Sequence, residues 1–504
     1  MPHRNPALEI LLLGILFLSA AAHAADNRGQ NSDPGEVGPY AIGHTSEVFV
    51  NPNASNRPVS VNIFYPVDPR SVDSSTPEAQ YPLDIFENQL PVTTSTQWEQ
   101  FGYEHAYEAP KPSHDGPFPL VIFSTGWTGN YWAYIYIGTR LASRGYVVAI
   151  LEHYSDWNWA WIPGTGEDVT IYNRPRDVSA AITELLRRNR TQGDLLLGTM
   201  DPRRIAMSGH SLGGYTAFAL TGGDNNVCDE LWGVLFQGDS LPYPAYTCVP
   251  TLPDRRIKAI VTLDGWSPLL HFGELSRVDV PSLVLGETVD ALTTWEGYFD
   301  WTGLPDMNAR SHAAIHREDS YRVDIDGINH SSLAASMCDG TRIMFQLGVL
   351  SAMTGGDGSQ ADLDSFLNSF WCSTTLPRKD AREVITKYMI AFLDLYLGRT
   401  DADRGLDRWI LTPGYALTHT PTVQFFDSED CHATLPDDSY FRYRPYQVSN
   451  ECDVAQKDPT GWFASPSSSA SSNDATPMIL APDPAPSGPF RPLKKPYVPL
   501  AKPY

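Results

Sequence analysis

A serine within a glycine-rich segment carries the most specific chemical pattern of this sequence. The segment Gly209–Gly214 reads GHSLGG, which contains the pattern G-x-S-x-G and one further glycine. The residues before it, Arg204–Ser208, predict a strand, and a helix is predicted to begin near Leu212. A serine on a sharp turn between a strand and a helix exposes its hydroxyl above the sheet, where it can attack a carbonyl. We therefore predict that Ser211 is a nucleophile.

A histidine far along the chain is the predicted base. A serine hydroxyl is a weak nucleophile near neutral pH and needs a base within hydrogen-bond reach. Where the serine lies on such a turn, the acid and then the histidine follow it in the chain. His330 comes after a strand predicted to end near Ile325 and after the short turn Asp326–Asn329. We therefore expect His330 at the same sheet edge as Ser211.

Four other histidines suggest no comparable role. His312 and His316 are four residues apart, but no third ligand accompanies them, so a helix surface explains them better than a metal site. His210 is expected to point away from the nucleophile, and His153 precedes the serine in the chain. The sequence predicts no metal and no organic cofactor, because protein groups supply the nucleophile, the base and the electrophilic donors.

Two aspartates qualify as the acid that orients the imidazole and stabilises its protonated form. Asp264 directly follows the predicted strand Ile257–Leu263, and Asp290 follows the next predicted strand, Ser282–Gly286. An aspartate at the end of a strand is also common in turns and caps. The residues alone leave both aspartates open as the acid.

The oxyanion that forms during acyl transfer needs two backbone N–H donors. Leu212, directly after the nucleophile, is predicted to supply one of them. The other is expected from Trp127, in the loop Ser124–Thr128 that follows the predicted strand Pro119–Ser124. The indole of Trp127 could also form a wall of the acyl pocket.

Strands and helices alternate from Phe118 onward, which predicts parallel strand pairing. The predicted strands are Pro119–Ser124, Tyr146–Leu151, Arg204–Ser208, Ile257–Leu263, Ser282–Gly286 and Arg322–Ile325, and the predicted helices are Tyr131–Arg144, Arg176–Asn189, one beginning near Leu212, and Ala381–Leu397. Several of these strands are almost entirely apolar, as in sheets that are buried on both faces. The predicted fold class is therefore α/β, a doubly wound and mostly parallel sheet with helices on both faces. Such a sheet carries its functional groups at the carboxyl ends of the strands.

The composition excludes some partners. The chain has 504 residues, of which 42% are hydrophobic, so it can form a large core. Its net charge of −23 would repel nucleic acid and anionic lipid headgroups. We therefore expect no nucleic-acid partner.

The amino terminus resembles a secretory signal. The apolar run Ile10–Ala22 has thirteen residues, fewer than the roughly 20 of a membrane-spanning helix. It follows His3 and Arg4 and leads into a small-x-small motif that ends at Ala24. We predict that residues 1–24 are a cleaved signal peptide, that the mature chain has no integral membrane segment, and that the protein is secreted or periplasmic.

All six cysteines lie in the part predicted to be exported, as in a protein with disulfide bonds. They are Cys228, Cys248, Cys338, Cys372, Cys431 and Cys452. The separations within consecutive pairs, 20, 34 and 21 residues, favour pairing between neighbours. A zinc site is disfavoured because the sequence contains no C-x-x-C motif.

The carboxyl-terminal residues 453–504 are predicted to be a disordered tail. From Pro459 to Tyr504, eleven of 46 residues are proline, and Ser465–Ser472 is rich in serine. Such a composition cannot bury enough apolar surface to offset the entropy of ordering. Residues 25–452 are therefore the predicted catalytic domain.

Four segments together resemble the α/β-hydrolases of the plasma platelet-activating-factor acetylhydrolase type. They are PLVIFSTGW at Pro119–Trp127, LASRGYVVAILEH at Leu141–His153, GHSLGG at Gly209–Gly214 and LDGW at Leu263–Trp266. The resemblance covers roughly Val59 to Gly398. This sequence departs from the family at Thr125, where the family usually has histidine, and in two apparent insertions near residues 222–254 and 331–376.

The resemblance bears on the acid. The family takes its acid from the Leu-Asp-x-Trp segment, which implies Asp264. The related dienelactone-hydrolase-like and cutinase-like esterases take it from the position that matches Asp290. Asp264 is thus the preferred acid, and Asp290 is the alternative.

The resemblance also implies an activity. It implies a secreted serine carboxylic ester hydrolase that acts through an acyl-enzyme on an apolar, lipid-like or aromatic ester. Aromatic residues expected around the cleft at the strand ends, Trp127, Tyr131, Trp132 and Trp157–Trp161, fit such a substrate. The alternatives are a polyester- or cutin-type esterase or lipase with its acid at Asp290, then a serine peptidase, and then a non-catalytic binding protein.

Overall fold

The computed structural model describes most of the predicted catalytic domain. The described residues are 33–52, 56–83, 91–127, 129–153, 170–224, 249–267, 270, 272–287, 307–315, 317–349, 359–367, 372, 374–398 and 405–427. The predicted signal peptide and tail, and also Asp290, His316 and Trp157–Trp161, lie outside them.

The described strands form one large sheet and one small sheet. The strands are β1 (Ala41–Asn51), β2 (Arg57–Val67), β3 (Gln80–Pro82), β4 (Val92–Thr94), β5 (Ala106–Glu108), β6 (Phe118–Ser124), β7 (Val147–His153), β8 (Met200–His210), β9 (Ile257–Leu263), β10 (Ser282–Glu287), β11 (Ser320–Ile325) and β12 (Val423–Phe426). The large sheet has the order β12-β11-β10-β9-β8-β6-β7-β2-β1-β5, and β3 pairs with β4 in the small one. Six neighbouring strands of the large sheet pair in parallel: β11, β10, β9, β8, β6 and β7. Strands β2 and β12 pair antiparallel to the strands beside them.

Helices cover both faces of the large sheet. The α-helices are α1 (Ser95–Glu99), α2 (Ile135–Ser143), α3 (Thr170–Arg188), α4 (Leu212–Gly222), α5 (Phe272–Leu275), α6 (Met307–Ala314), α7 (Ser336–Gln346), α8 (Gln360–Leu367), α9 (Arg378–Leu397), α10 (Gly405–Ile410) and α11 (Pro413–His419). Short 3-10 helices span Pro69–Ser71, Tyr131–Tyr134 and His330–Ala334. Helices α2 and α9 contribute to the core on one face, and α3, α4 and α6 contribute to the core on the other.

The central strands are apolar on both sides because both of their faces are covered. In β6, Leu120 and Ile122 pack into the core beside α3 and α4, while Val121 and Phe123 pack into the core beside α2 and α9. All four side chains are fully buried. Burying each such side chain stabilises the fold by about 1.5–3 kcal/mol relative to leaving it in water. The apolar runs in the sequence thus report the two-sided burial of a parallel sheet, and the predicted α/β architecture is confirmed.

Several predicted elements have other bounds in the structure, and two of these differences bear on the site. Helix α3 starts at Thr170, not Arg176, and contains Pro175. Proline disfavours a helix interior. Beside it, the side chain of Arg174 donates hydrogen bonds to the backbone of another segment, at Thr125 O and Gly126 O. His330 was expected on a loop and instead begins a 3-10 helix that Asn329 caps by accepting a hydrogen bond from Ser332 N.

One disulfide lies among the described residues. Cys338, in α7, is bonded to Cys372, with a Cα–Cα distance of 5.8 Å. This pair is one of the predicted neighbour pairs, and the other four cysteines lie outside the described part of the chain. Of the helices described above, none has both the length and the apolar composition of a membrane span.

Candidate active site

Ser211 occupies a strained turn between β8 and α4. Its φ of 54° and ψ of −118° are unusual for a residue with a side chain, and such strain costs of order 1–3 kcal/mol. Its N–H donates to Leu263 O at 3.0 Å, and its carbonyl accepts from Trp266 N at 2.9 Å. The turn is therefore held against the carboxyl end of β9.

The glycines around Ser211 allow an unusually close approach of backbones. A Cβ atom on Gly213 would lie 2.0 Å from the carbonyl oxygen of Ser124, at the end of β6. A Cβ atom on Gly209 would lie 2.4 Å from the carbonyl carbon of Gly213. Any larger residue would separate α4 from the sheet, so the spacing of the motif follows from packing.

His330 and Asp264 form a buried pair. Nδ1 of His330 is hydrogen-bonded to Oδ2 of Asp264. Asn308, at the start of α6, donates from Nδ2 to the other oxygen, Oδ1, at 3.0 Å. Burial opposes ionisation of Asp264, but the charge of His330 and the hydrogen bonds from His330 and Asn308 outweigh it and lower the pKa of this carboxyl. Asp264 is thus held as a carboxylate against an imidazole.

His210, the residue before Ser211, contacts His330 directly. The ring centroids of the two histidines are 4.5 Å apart, and Nε2 of His210 lies 2.9 Å from the backbone carbonyl oxygen of His330. On its other side, Nδ1 of His210 lies 2.9 Å from the hydroxyl of Tyr134. The structure therefore brings the turn that carries Ser211 against the segment that carries His330.

The segment Thr125–Trp127 packs against the same turn. It is called the oxyanion loop here, after the role that the sequence predicts for Trp127. A Cβ atom on Gly126 would lie 3.6 Å from Cβ of Ser211. Buried Arg174 donates from Nη1 to Thr125 O at 2.6 Å and from Nη2 to Gly126 O at 2.8 Å. Because a trans peptide group is planar, the N–H of Trp127 points away from the Gly126 carbonyl and hence away from Arg174. The Trp127 side chain is 38% exposed.

A second Ser–His–Asp arrangement lies buried beneath the oxyanion loop. Nε2 of His153 is 2.8 Å from Oγ of Ser124, and Nδ1 of His153 is 3.3 Å from Oδ2 of Asp177. Arg57 pairs with Asp177 at 2.5 Å, and Arg174 donates to Ser124 at 3.2 Å. All five side chains are at most 4% exposed, so this arrangement is inaccessible to substrate and serves to fix the loop.

Glu287 joins Asp264 and His330 at the sheet edge. One ligand atom from each of the three side chains lies within 4.8 Å of the others, and all three residues are buried. Such a set could hold a metal ion, but Nδ1 of His330 is engaged with Asp264. Ser211, Asp264, Glu287 and His330 follow or end β8, β9, β10 and β11, which are successive parallel strands. Their side chains are therefore expected to share one edge.

Three expectations from the sequence are wrong. His312 was expected on a helix surface, but it is 1% exposed, with Nε2 3.4 Å from Ser320 O. Tyr131 and Trp132 were expected to surround the cleft, but both are buried. The ring of Trp132 lies where a side chain on Gly340 would be, so α7 covers it.

Sequence reasoning missed the residues that support the site. Asn308, Tyr134 and Arg174 stand in no motif, and His210 was given no role. The role of a side chain that acts through a neighbour depends on contacts in the folded structure, so no sequence motif reveals it. The one available signal was the Arg-Pro pair at Arg174, directly before the predicted helix Arg176–Asn189.

Residues 26–160 match the model of the family described as platelet-activating factor acetylhydrolase, isoform II. The resemblance predicted from the sequence is thereby confirmed for this part of the chain, and it supports an ester hydrolase. The matched segment includes β6 and the oxyanion loop and ends before Ser211.

No curated protein matches the chain. Among solved structures, the ferulic acid esterase from Streptomyces cinnamoneus is 20% identical and aligns with a TM-score of 0.45. The alignment covers 79% of this chain and 99% of the esterase chain.

Proposed function

We propose that this protein is a serine carboxylic ester hydrolase that acts through an acyl-enzyme. One observation carries the proposal: the strained turn of Ser211 packs against a segment whose His330 is bonded to the Asp264 carboxylate. Nδ1 of His330 is hydrogen-bonded to Asp264, so Nε2 is the nitrogen that we propose as the base. Ser211 is the proposed nucleophile, His330 the base and Asp264 the acid.

The proposed reaction has two halves. Ser211 Oγ attacks the ester carbonyl carbon while His330 accepts its proton, and a tetrahedral oxyanion forms. The C–O bond to the alcohol then breaks, and His330 returns the proton to the departing oxygen. Water, deprotonated by His330, attacks the acyl-enzyme, the acid is released, and Ser211 regains its proton. No electron transfer is involved, and protein groups handle every proton.

The backbone N–H groups of Leu212 and Trp127 are the proposed oxyanion donors. Leu212 N begins α4, where the helix dipole favours negative charge. The N–H of Trp127 is directed away from Arg174 by the two hydrogen bonds that Arg174 makes to the loop. Losing one such donor typically costs about 10²–10³-fold in kcat.

The proposed substrate is an apolar ester, lipid-like or aromatic. The match to the acetylhydrolase family supports this class. Trp127, which is 38% exposed, directly follows Gly126, the glycine that approaches Ser211, so its apolar side chain also supports this class. We also propose that the protein is exported by its first 24 residues. The Cys338–Cys372 disulfide is consistent with an oxidising compartment.

Steady-state hydrolysis of esters tests the proposal. Wild type, Ser211→Ala and Ser71→Ala would be assayed with p-nitrophenyl esters of increasing acyl length and with platelet-activating factor. Ser211→Ala should lose about 10⁶-fold in kcat. Ser71 is exposed in the first 3-10 helix, so Ser71→Ala should match wild type. Full ester hydrolysis by Ser211→Ala would refute the serine mechanism.

A further inference from the structure

We propose that Tyr134 and His210 form a positioning unit, which joins the oxyanion loop to the backbone of His330 and holds both in place for turnover. The inference rests on the proposed ester hydrolysis and adds two residues to it. Neither side chain is proposed to touch the substrate.

The unit begins at the His330 carbonyl, whose oxygen can only accept a hydrogen bond. Nε2 of His210, 2.9 Å away, must therefore carry a proton. Burial, followed by the charge of His330, lowers the pKa of His210 to about 3, so the ring is neutral near neutral pH. A neutral ring protonated on Nε2 has an unprotonated Nδ1, which accepts a hydrogen bond.

The direction of the remaining bonds follows from this tautomer. The Tyr134 hydroxyl donates its proton to Nδ1 of His210 across 2.9 Å. The same oxygen accepts a hydrogen bond from the N–H of Gly126 at 3.1 Å. Each donor in the positioning unit thus has one acceptor. The hydrogen bonds run from the oxyanion loop through the Ser211 turn to His330.

Tyr134 and Arg174 bind different backbone groups of the oxyanion loop. Arg174 holds the loop by its carbonyl oxygens, whereas Tyr134 holds it by an N–H group. Because the Gly126 N–H is engaged with Tyr134, it is not the oxyanion donor, and this role remains with the next residue, Trp127. The peptide group between Thr125 and Gly126 is held by Arg174 at its carbonyl and by Tyr134 at its N–H. Without the tyrosine hydroxyl, it would lose the second of these hydrogen bonds.

The positioning unit also couples two parts of the site that are far apart in sequence. Gly126 and His330 are separated by more than 200 residues, but the hydrogen bonds of only two side chains connect them. A displacement of the oxyanion loop would therefore alter the position of the base as well. Such misplacement lowers the rate of the chemical step more than the binding of substrate.

Tyr134→Phe tests the inference, because it removes only one hydroxyl. We expect kcat for a p-nitrophenyl ester to fall by about 10- to 100-fold, while KM changes less than about threefold. Tyr388→Phe is the matched control. Tyr388 is also fully buried, and its hydroxyl makes a 2.8 Å hydrogen bond with Thr420 in another part of the core. The control should lower Tm similarly while keeping the wild-type kcat.

A second pair of variants tests His210. His210→Gln keeps one donor and one acceptor on its amide and should retain more of kcat than His210→Leu, which has neither. Equal kcat values for Tyr134→Phe, Tyr388→Phe and wild type would overturn the inference. So would equal losses in kcat for the glutamine and leucine variants. If wild type itself hydrolyses no ester and Ser211 reacts with no fluorophosphonate, the proposed function fails first and the inference fails with it.

Discussion

Asn308 donates a hydrogen bond of 3.0 Å to Oδ1 of Asp264, the carboxylate oxygen that His330 does not use. Both oxygens of the acid are therefore directed by neighbours, and the imidazole of His330 is oriented by a carboxylate that cannot rotate freely. Asn308 reaches this position across Gly286 in β10, where a Cβ atom would lie 2.0 Å from Nδ2 of Asn308.

The identity of the acid is tested by replacing each candidate aspartate. Asp264→Asn should lower kcat by on the order of 10⁴, because the amide cannot stabilise the imidazolium and favours the wrong tautomer. Asp290→Asn should retain nearly full activity with p-nitrophenyl esters. The reverse result, an active Asp264→Asn and an inactive Asp290→Asn, would move the acid to Asp290.

Gly286→Ala should reduce activity without changing any proposed catalytic group. The added methyl group would displace Asn308 and release Oδ1 of Asp264, so we expect a loss of about tenfold in kcat. Gly405→Ala is the control, because among the described residues no atom beyond its chain neighbours lies within 4 Å of the added Cβ atom at the start of α10. A kcat for Gly286→Ala equal to that of Gly405→Ala would show that Asn308 does not orient the acid.

Glu287→Gln should move the acid limb of the pH–activity profile to lower pH. A negative carboxylate within 4.8 Å of the imidazole favours the protonated ring, so its removal lets His330 lose its proton more easily. A shift on the order of one pH unit is expected. Glu383→Gln, at a residue of α9 whose side chain is 43% exposed, should leave the profile unchanged. An unchanged acid limb in Glu287→Gln would mean that Glu287 carries no charge at this edge.

Asp394 should make the fold less stable as the pH rises from about 4 to 7. Burial raises the pKa of Asp394 to about 6, although the hydrogen bond from Tyr146 and the charge of Arg144 oppose this. Between the unfolded and folded pKa values the native state binds more protons, so stability falls as the pH rises. In urea unfolding, Asp394→Asn should gain about 3 kcal/mol relative to wild type between pH 4 and pH 8. A difference independent of pH would contradict this ionisation.

The candidate site residues that the sequence could indicate are those whose chemistry leaves a local pattern. The glycines around Ser211 indicate it in the sequence, because backbones approach closely there and leave no room for larger residues. His330 and Asp264 are indicated by their positions after apolar strands. The central strands could be predicted because burial on both faces makes them almost wholly apolar.

The supporting residues could not be predicted, because their roles depend on contacts between distant segments. The pair formed by Asn308 and Asp264 spans 44 positions, and the contact between His210 and His330 spans 120. The expectation for Trp132 failed for the same reason, since α7 packs over it. An aromatic residue after a strand can line a cleft or fill a core, and only the packing of other elements decides between them.

Stoichiometric labelling with a fluorophosphonate tests whether Ser211 is the nucleophile of ester hydrolysis. The full chain would be titrated with the reagent while its esterase activity and its intact mass are followed, and the modified residue would be located by peptide mass spectrometry. We expect one adduct per chain, on Ser211, with activity falling in proportion to labelling, and a much slower reaction in His330→Ala. Full ester hydrolysis by a chain whose Ser211 is completely modified would contradict it.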